Sequence, residues 1–164
     1  SAIPGTVGAA PVQNVGAYGQ EIVQVLDSVL AYDLKEEKYV TIKKEDMNLG
    51  YRSSIFNHGE DAGRYLIISM TIHLSHDTLT PPFYTSLQNY VEEHQITDFS
   101  PKSIREMVTE IRWSKLPKPE EMASSGSFFK NVYLDDAEAD RLRGMNVPVW
   151  EWFSMACVYL RKLH

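Results

Sequence analysis

Arg52 is the residue best suited to polar chemistry. A guanidinium is planar and always charged, so it matches a carboxylate or phosphate with two parallel hydrogen bonds. It follows Tyr51 in Gly50-Tyr-Arg-Ser-Ser-Ile-Phe56. The plainer reading is a surface Arg whose stem packs on Tyr51. Ser127 lies in Gly126-Ser-Phe-Phe-Lys-Asn131, with a flexible residue before it and two aromatics after it. Phe128 and Phe129 can anchor such a turn and present Ser127 and Lys130. A serine in an ordinary turn is the alternative. A nucleophilic serine needs a base, and none of the five histidines is spaced to supply one. Gly-x-Ser-x-Gly is absent too, which excludes a hydrolase triad of that kind. His73-x-x-His76 lacks a carboxylate or thiol to complete a ligand set, so no metal is expected. The acidic pairs Glu36-Glu37, Glu92-Glu93 and Glu120-Glu121 read as solvated surface.

Ahead of these residues runs Ser1 to Gly19, which holds four of the nine glycines: Gly5, Gly8, Gly16 and Gly19. Small residues let a backbone approach a ligand closely, and successive N–H groups in glycine turns form a concavity suited to an anion. The stretch is therefore either a loop against a phosphorylated cofactor or a tight packing corner. It is neither G-x-G-x-x-G nor a P-loop.

The 164 residues suffice for one domain or two small ones, and 43 % are hydrophobic, enough for a real core. A net charge of −6 argues against nucleic acid or an acidic membrane surface as the main partner. Cys157 is the only cysteine, which excludes an intrachain disulfide and fits a reducing cytoplasm. No apolar run approaches the ~20 residues of a membrane-spanning helix. The oligomeric state is left open. The first residue is not Met and stands inside a motif-like loop, as a cut edge would.

The elements that must position these residues follow from periodicity. Glu21 to Asp33 reads as a strand with a competing helical pattern, and Tyr39 to Ile42 as the return arm of a hairpin after a turn at Lys35 to Lys38. Lys44 to Leu49 is a short helical turn. Tyr65 to Leu74, long and β-branched, is expected to be a central strand. Pro81 and Pro82 break the pattern, and Ser86 to Glu93 forms a helix. Ser100 and Pro101 are an N-cap and first-turn pair. They start a helix to about Trp113 whose buried stripe is Ile104, Met107, Val108 and Ile111. Leu116 to Pro119 is an extended hinge, Val132 to Leu134 a short strand, and Asp135 or Asp136 caps a helix that Gly144 ends. Residues 149 to 164 are aromatic and aliphatic, with no later element to cover them.

Four motifs occur in order: Ile3 to Gly19, Gly50 to Phe56, Ser114-Lys-Leu-Pro117, and Gly126 to Asn131. Together they resemble the UDP-N-acetylenolpyruvoylglucosamine reductase (UDP-N-acetylmuramate dehydrogenase) family, bacterial flavoenzymes of peptidoglycan precursor synthesis. The resemblance covers residues 1 to about 151. It implies an α+β fold: the second part of a vanillyl-alcohol-oxidase/PCMH-like FAD-binding domain over 1–97, then the start of a substrate-binding domain over 98–164. It implies FAD, NADPH as co-substrate, UDP-N-acetylglucosamine enolpyruvate as the molecule reduced, and a cytoplasmic location.

By the same resemblance, Gly5, Gly8, Val12, Gln13, Asn14 and Gly16 line the FAD. Arg52 matches the catalytic arginine and Ser127 the proton donor. Tyr18, Tyr51, Lys115 and Asn131 match positions near the substrate, and Tyr84 a tyrosine on a covering loop. Three departures stand beside it. The family's earlier flavin-binding subdomain and its later catalytic glutamate are not in these residues. Val132 stands where proline is common. Trp152 to His164 do not match. The expectation is a truncated or partial sequence, inactive alone, with a non-catalytic flavin-binding fragment as the alternative reading.

Overall fold

The computed structural model describes residues 1–118, 120–123, 131–147, 149–154 and 157–163. The chain is α+β and divides into two compact units, Ser1–Ser124 and Ser125–His164.

The first unit opens with a 3-10 turn at Val7–Ala9, followed by two-residue strands β1 (Gly16–Ala17) and β2 (Gln20–Glu21) that pair antiparallel. A second 3-10 turn, Ile22–Gln24, delays the strand expected from Glu21. Glu21 and Gln24 form a reciprocal capping box there, which competes successfully with extension. Strand β3 then runs from Leu26 to Asp33, β4 from Lys38 to Lys43, and β5 from Tyr65 to Ile72. They form an antiparallel sheet in the order β4-β3-β5. The hairpin register runs from Ser28↔Lys43 to Asp33↔Lys38, as the alternation at Tyr39 to Ile42 predicts. The expected turn at Lys44 is a 3-10 helix, Lys44–Met47.

Among the described strands the central one is β3, not β5. A β-branched apolar run shows a strand, but it does not show on which side a neighbour pairs. The edge strand β5 leaves Leu66 and Ile68 exposed on its outer face and turns Ile67 and Met70 toward the core. That core consists of Leu26, Val29, Ala31, Ile42, Met47 and Phe56, all buried.

Helices α1 (Thr85–Glu93) and α2 (Pro101–Lys115) carry a second core. Ser100 Oγ accepts a hydrogen bond from the Ser103 amide at 3.3 Å, and Pro101 follows it at the first helical position. Met107, Val108 and Ile111 are buried against Leu87 and Val91, with Ile104 packed at the margin, so the predicted stripe faces inward. The joint between helix faces is sealed by Phe83 and Phe99, edge to face at 5.2 Å.

The second unit contains β6 (Tyr133–Leu134), α3 (Asp136–Gly144), β7 (Val149–Ser154) and β8 (Cys157–Leu163). Its sheet order is β6-β8-β7, antiparallel throughout. Asp135 is the α3 cap, its Oδ1 accepting from the Glu138 amide at 2.8 Å. The apolar terminal stretch is thus paired backbone, with β8 lying between β6 and β7.

Candidate functional site

The opening loop and the Tyr51-Arg52 turn lie 36 to 42 residues apart in sequence, and side chains knit them together. Asn14 is 1 % exposed. Its Nδ2 donates to the Gly50 carbonyl and to Glu21 Oε2, both at 3.1 Å, and its Oδ1 accepts from the Val23 amide at 3.1 Å. A buried amide with both donors used and its oxygen bonded is a structural pin. Asn14 sits at φ +43°, in a region asparagine tolerates better than most residues. Gly50 in turn exchanges backbone bonds with Ser53 at 3.0 and 3.2 Å, closing the turn that carries Tyr51 and Arg52.

Arg52 reaches back across this junction. Its Nη2 donates to the Gly16 carbonyl at 3.1 Å, and its guanidinium lies 5.1 Å from the Tyr51 ring centre. Gly16 is required by the close return of β2 across it, with Arg52 in ordinary contact beside it. A Cβ there would stand 2.8 Å from Glu21 Cγ, 2.9 Å from the Gln20 carbonyl and 3.5 Å from Arg52 Nη1. The two predicted elements, glycine loop and arginine turn, are therefore one local structure.

Tyr18, at φ +54°, leaves this loop to join the helical core. Its ring meets Tyr84 edge to face at 5.9 Å, and Tyr84 stands at the start of α1. Burial raises the pKa of the Tyr18 phenol, while the charge of Arg112 and a hydrogen bond to it pull the other way. Arg112 Nε also donates to the Ala2 carbonyl at 3.2 Å, tying α2 to the first residues of the loop.

The remaining predicted residues are more dispersed. Gly5 is exposed at φ +130° with open space beside it, and Gly8 lies on the 3-10 turn near Ile67. Val12 packs on the sheet core, and Gln13 is exposed. Lys115 is an exposed residue in the last turn of α2, and Asn131, half-buried, belongs to the second unit. Ser127 lies outside the described residues. Among the described residues no group of three His, Cys, Asp or Glu could hold a metal, and no helix is long and apolar enough to cross a membrane.

Residue patterns alone passed over Ser54 and Asn57. Ser54 is 1 % exposed, and its hydroxyl donates to the Val12 carbonyl at 2.6 Å. Asn57 bonds the Ser54 amide and the Arg52 carbonyl. The signal was present in the polar residues flanking Ile55-Phe56, whose apolar side chains anchor the turn.

Comparison with known proteins gives a consistent result. No family model matches the chain. Curated relatives named UDP-N-acetylenolpyruvoylglucosamine reductase do. The one from Idiomarina loihiensis is 41 % identical over 140 residues, 85 % of this chain and 40 % of the relative. That from Amoebophilus asiaticus is 38 % identical over 151 residues, 91 % of this chain and 44 % of the relative. That from Pseudomonas aeruginosa is 37 % identical over 143 residues, covering 87 % and 42 %. The chain thus spans about 40 % of the length of the first of these relatives.

Proposed function

We propose, from the premise that this chain is a relative of the UDP-N-acetylenolpyruvoylglucosamine reductases, that it carries part of the site of an NADPH- and FAD-dependent oxidoreductase. The substrate is UDP-N-acetylglucosamine enolpyruvate and the product UDP-N-acetylmuramate, in the cytoplasm. The observation that carries this reading is the Arg52 Nη2 bond to the Gly16 carbonyl, which places a cation on a loop of small residues.

The loop fits a flavin in one respect the structure supplies. Gly5 is exposed and has nothing within 4 Å of where a Cβ would stand, so a planar ligand can lie against bare backbone. In this reading the loop of Gly5, Gly8, Val12, Gln13, Asn14 and Gly16 lines the FAD, with buried Asn14 pinning the loop from behind rather than touching the ligand, within a vanillyl-alcohol-oxidase/PCMH-like domain over 1–97. Residues 98–164 then begin the substrate domain. When bound, FAD supplies hydride taken from NADPH.

The chain's own residues act on the substrate. Hydride addition to the vinyl carbon leaves charge on the neighbouring carbon, delocalised into the carboxylate. Arg52 stabilises that charge as it develops. Ser127 gives its proton to the carbanionic carbon, a base strong enough to accept from a hydroxyl. Tyr18 and Tyr51 border the enolpyruvyl group, Tyr84 covers it, and Lys115 and Asn131 bind the UDP-sugar.

Titration of the purified chain with FAD, followed by quenching of flavin fluorescence, tests the cofactor assignment. Saturable quenching with one equivalent is expected, weakened by Gly16→Ala. Quenching that Gly16→Ala leaves unchanged in a folded chain contradicts the loop's role.

A further inference from the structure

Arg52 adopts φ +52°, a left-handed conformation that side chains other than glycine enter at a cost. We infer that Ser54 and Asn57 are positioning residues that hold Arg52 in this conformation and aim its guanidinium at the opening loop. The inference rests on the reading of Arg52 as the charge-stabilising residue.

A closed circuit of hydrogen bonds joins these residues to the loop. Ser54 Oγ donates to the Val12 carbonyl at 2.6 Å, fixing the turn on the loop. The Ser54 amide donates to Asn57 Oδ1 at 2.9 Å, and Asn57 Nδ2 donates to the Arg52 carbonyl at 3.2 Å. Arg52 Nη2 then returns to the loop at the Gly16 carbonyl, 3.1 Å away. Val12 and Gly16 flank Asn14, which is itself bonded to Gly50. The circuit therefore closes on a pinned segment.

Only one orientation of the Asn57 amide serves both partners, since an N–H must meet its oxygen and a carbonyl its nitrogen. Ser54 Oγ also accepts from the Phe56 amide at 3.1 Å, so the buried hydroxyl is used in both directions. Asn57 is exposed, yet both ends of its amide are committed to the turn. A side chain needed only for solubility would have no reason to be so constrained.

The test uses the 164-residue chain with nitrogen-15 label, reading the order parameter of Arg52 Nε–H and the exchange rate of the Ser54 amide. Asn57→Asp keeps the acceptor for Ser54 and removes the donor to Arg52. It should leave Ser54 exchange unchanged and lower the Arg52 Nε–H order parameter clearly below that of the parent chain. Asn57→Ala should do the same to Arg52 and speed Ser54 exchange about tenfold. Ser54→Ala should also loosen Arg52. Ser100→Ala, which weakens the chain at the α2 cap beside the helical core, is the control and should leave Arg52 ordered. An Arg52 side chain as ordered in folded Asn57→Asp and Asn57→Ala as in the parent overturns the inference, whether or not Ser54→Ala folds. Loss of order at Arg52 alongside an FAD titration with no binding keeps the positioning role and refutes the cofactor reading instead.

Discussion

At the residue scale the glycines of the opening loop are not equivalent. A Cβ on Gly16 would meet the Gln20 carbonyl at 2.9 Å and Glu21 Cγ at 2.8 Å, and the first of these is backbone held in a strand pair. On Gly8 the nearest atom would be the Ile67 carbonyl at 3.6 Å, an ordinary contact. Gly16→Ala should therefore cost about 1–3 kcal/mol of stability, the usual size of a forced backbone shift. Gly8→Ala should stay within about 0.5 kcal/mol of the parent. Urea denaturation of both variants checks the difference, and equal midpoints would contradict the contact geometry. Sequence alone presents both as small residues in a small-residue run. What separates them is the return of β2 across the loop, a tertiary fact that composition does not carry.

At the element scale, β3 and β5 are joined at one end by a bidentate ion pair. Asp33 is 2 % exposed, and Arg64 grips it with Nη2 to Oδ2 at 2.6 Å and Nε to Oδ1 at 2.9 Å. The amides of Lys35 and Glu36 add bonds to Oδ1, and Arg64 also holds Asp61 at 2.8 Å. The bonds from Arg64 hold the Asp33 carboxyl at a pKa of about 2, against burial that pushes the other way. An unfolded Asp titrates near ~3.9, so between those values the unfolded chain binds more protons and stability rises with pH. The contribution is complete above about pH 4–5 and is lost as pH falls toward 2. Asp33→Asn should lower stability at neutral pH and flatten the fall in acid, measured as thermal midpoint against pH. An unchanged acid slope would contradict the assignment.

This pair was not legible in the sequence, because residues 31 apart carry no sign of pairing until the hairpin and the β5 register are known. Local signals were legible. The Ser100 cap, the Ile104 to Ile111 stripe and the Tyr39 to Ile42 return strand all depend on neighbours within a turn or a hairpin. The order β4-β3-β5 does not, which is why the sequence points to the strongest apolar run as the middle strand although, among the described strands, it lies at the edge. Likewise Asn14 was legible as part of a motif but not as its buried pin, since only the fold brings Gly50 and Val23 to it.

At the scale of the whole molecule, two compact units share the candidate residues between them. Arg52 and the glycine loop belong to Ser1–Ser124, and Asn131 to Ser125–His164. The relatives extend well beyond this chain, which matches about 40 % of the first of them. The role proposed for Arg52, fixed on the opening loop, is to stabilise charge on a reduced enolpyruvyl ether. The most direct test replaces the matching segment of the Idiomarina loihiensis relative with residues 1–151 of this chain and measures kcat for NADPH oxidation driven by UDP-N-acetylglucosamine enolpyruvate. Turnover is predicted, with Arg52→Ala lowering kcat about 10²–10³-fold at nearly unchanged FAD content. A flavin-loaded hybrid whose kcat is the same with Arg52→Ala would rule out that role for Arg52.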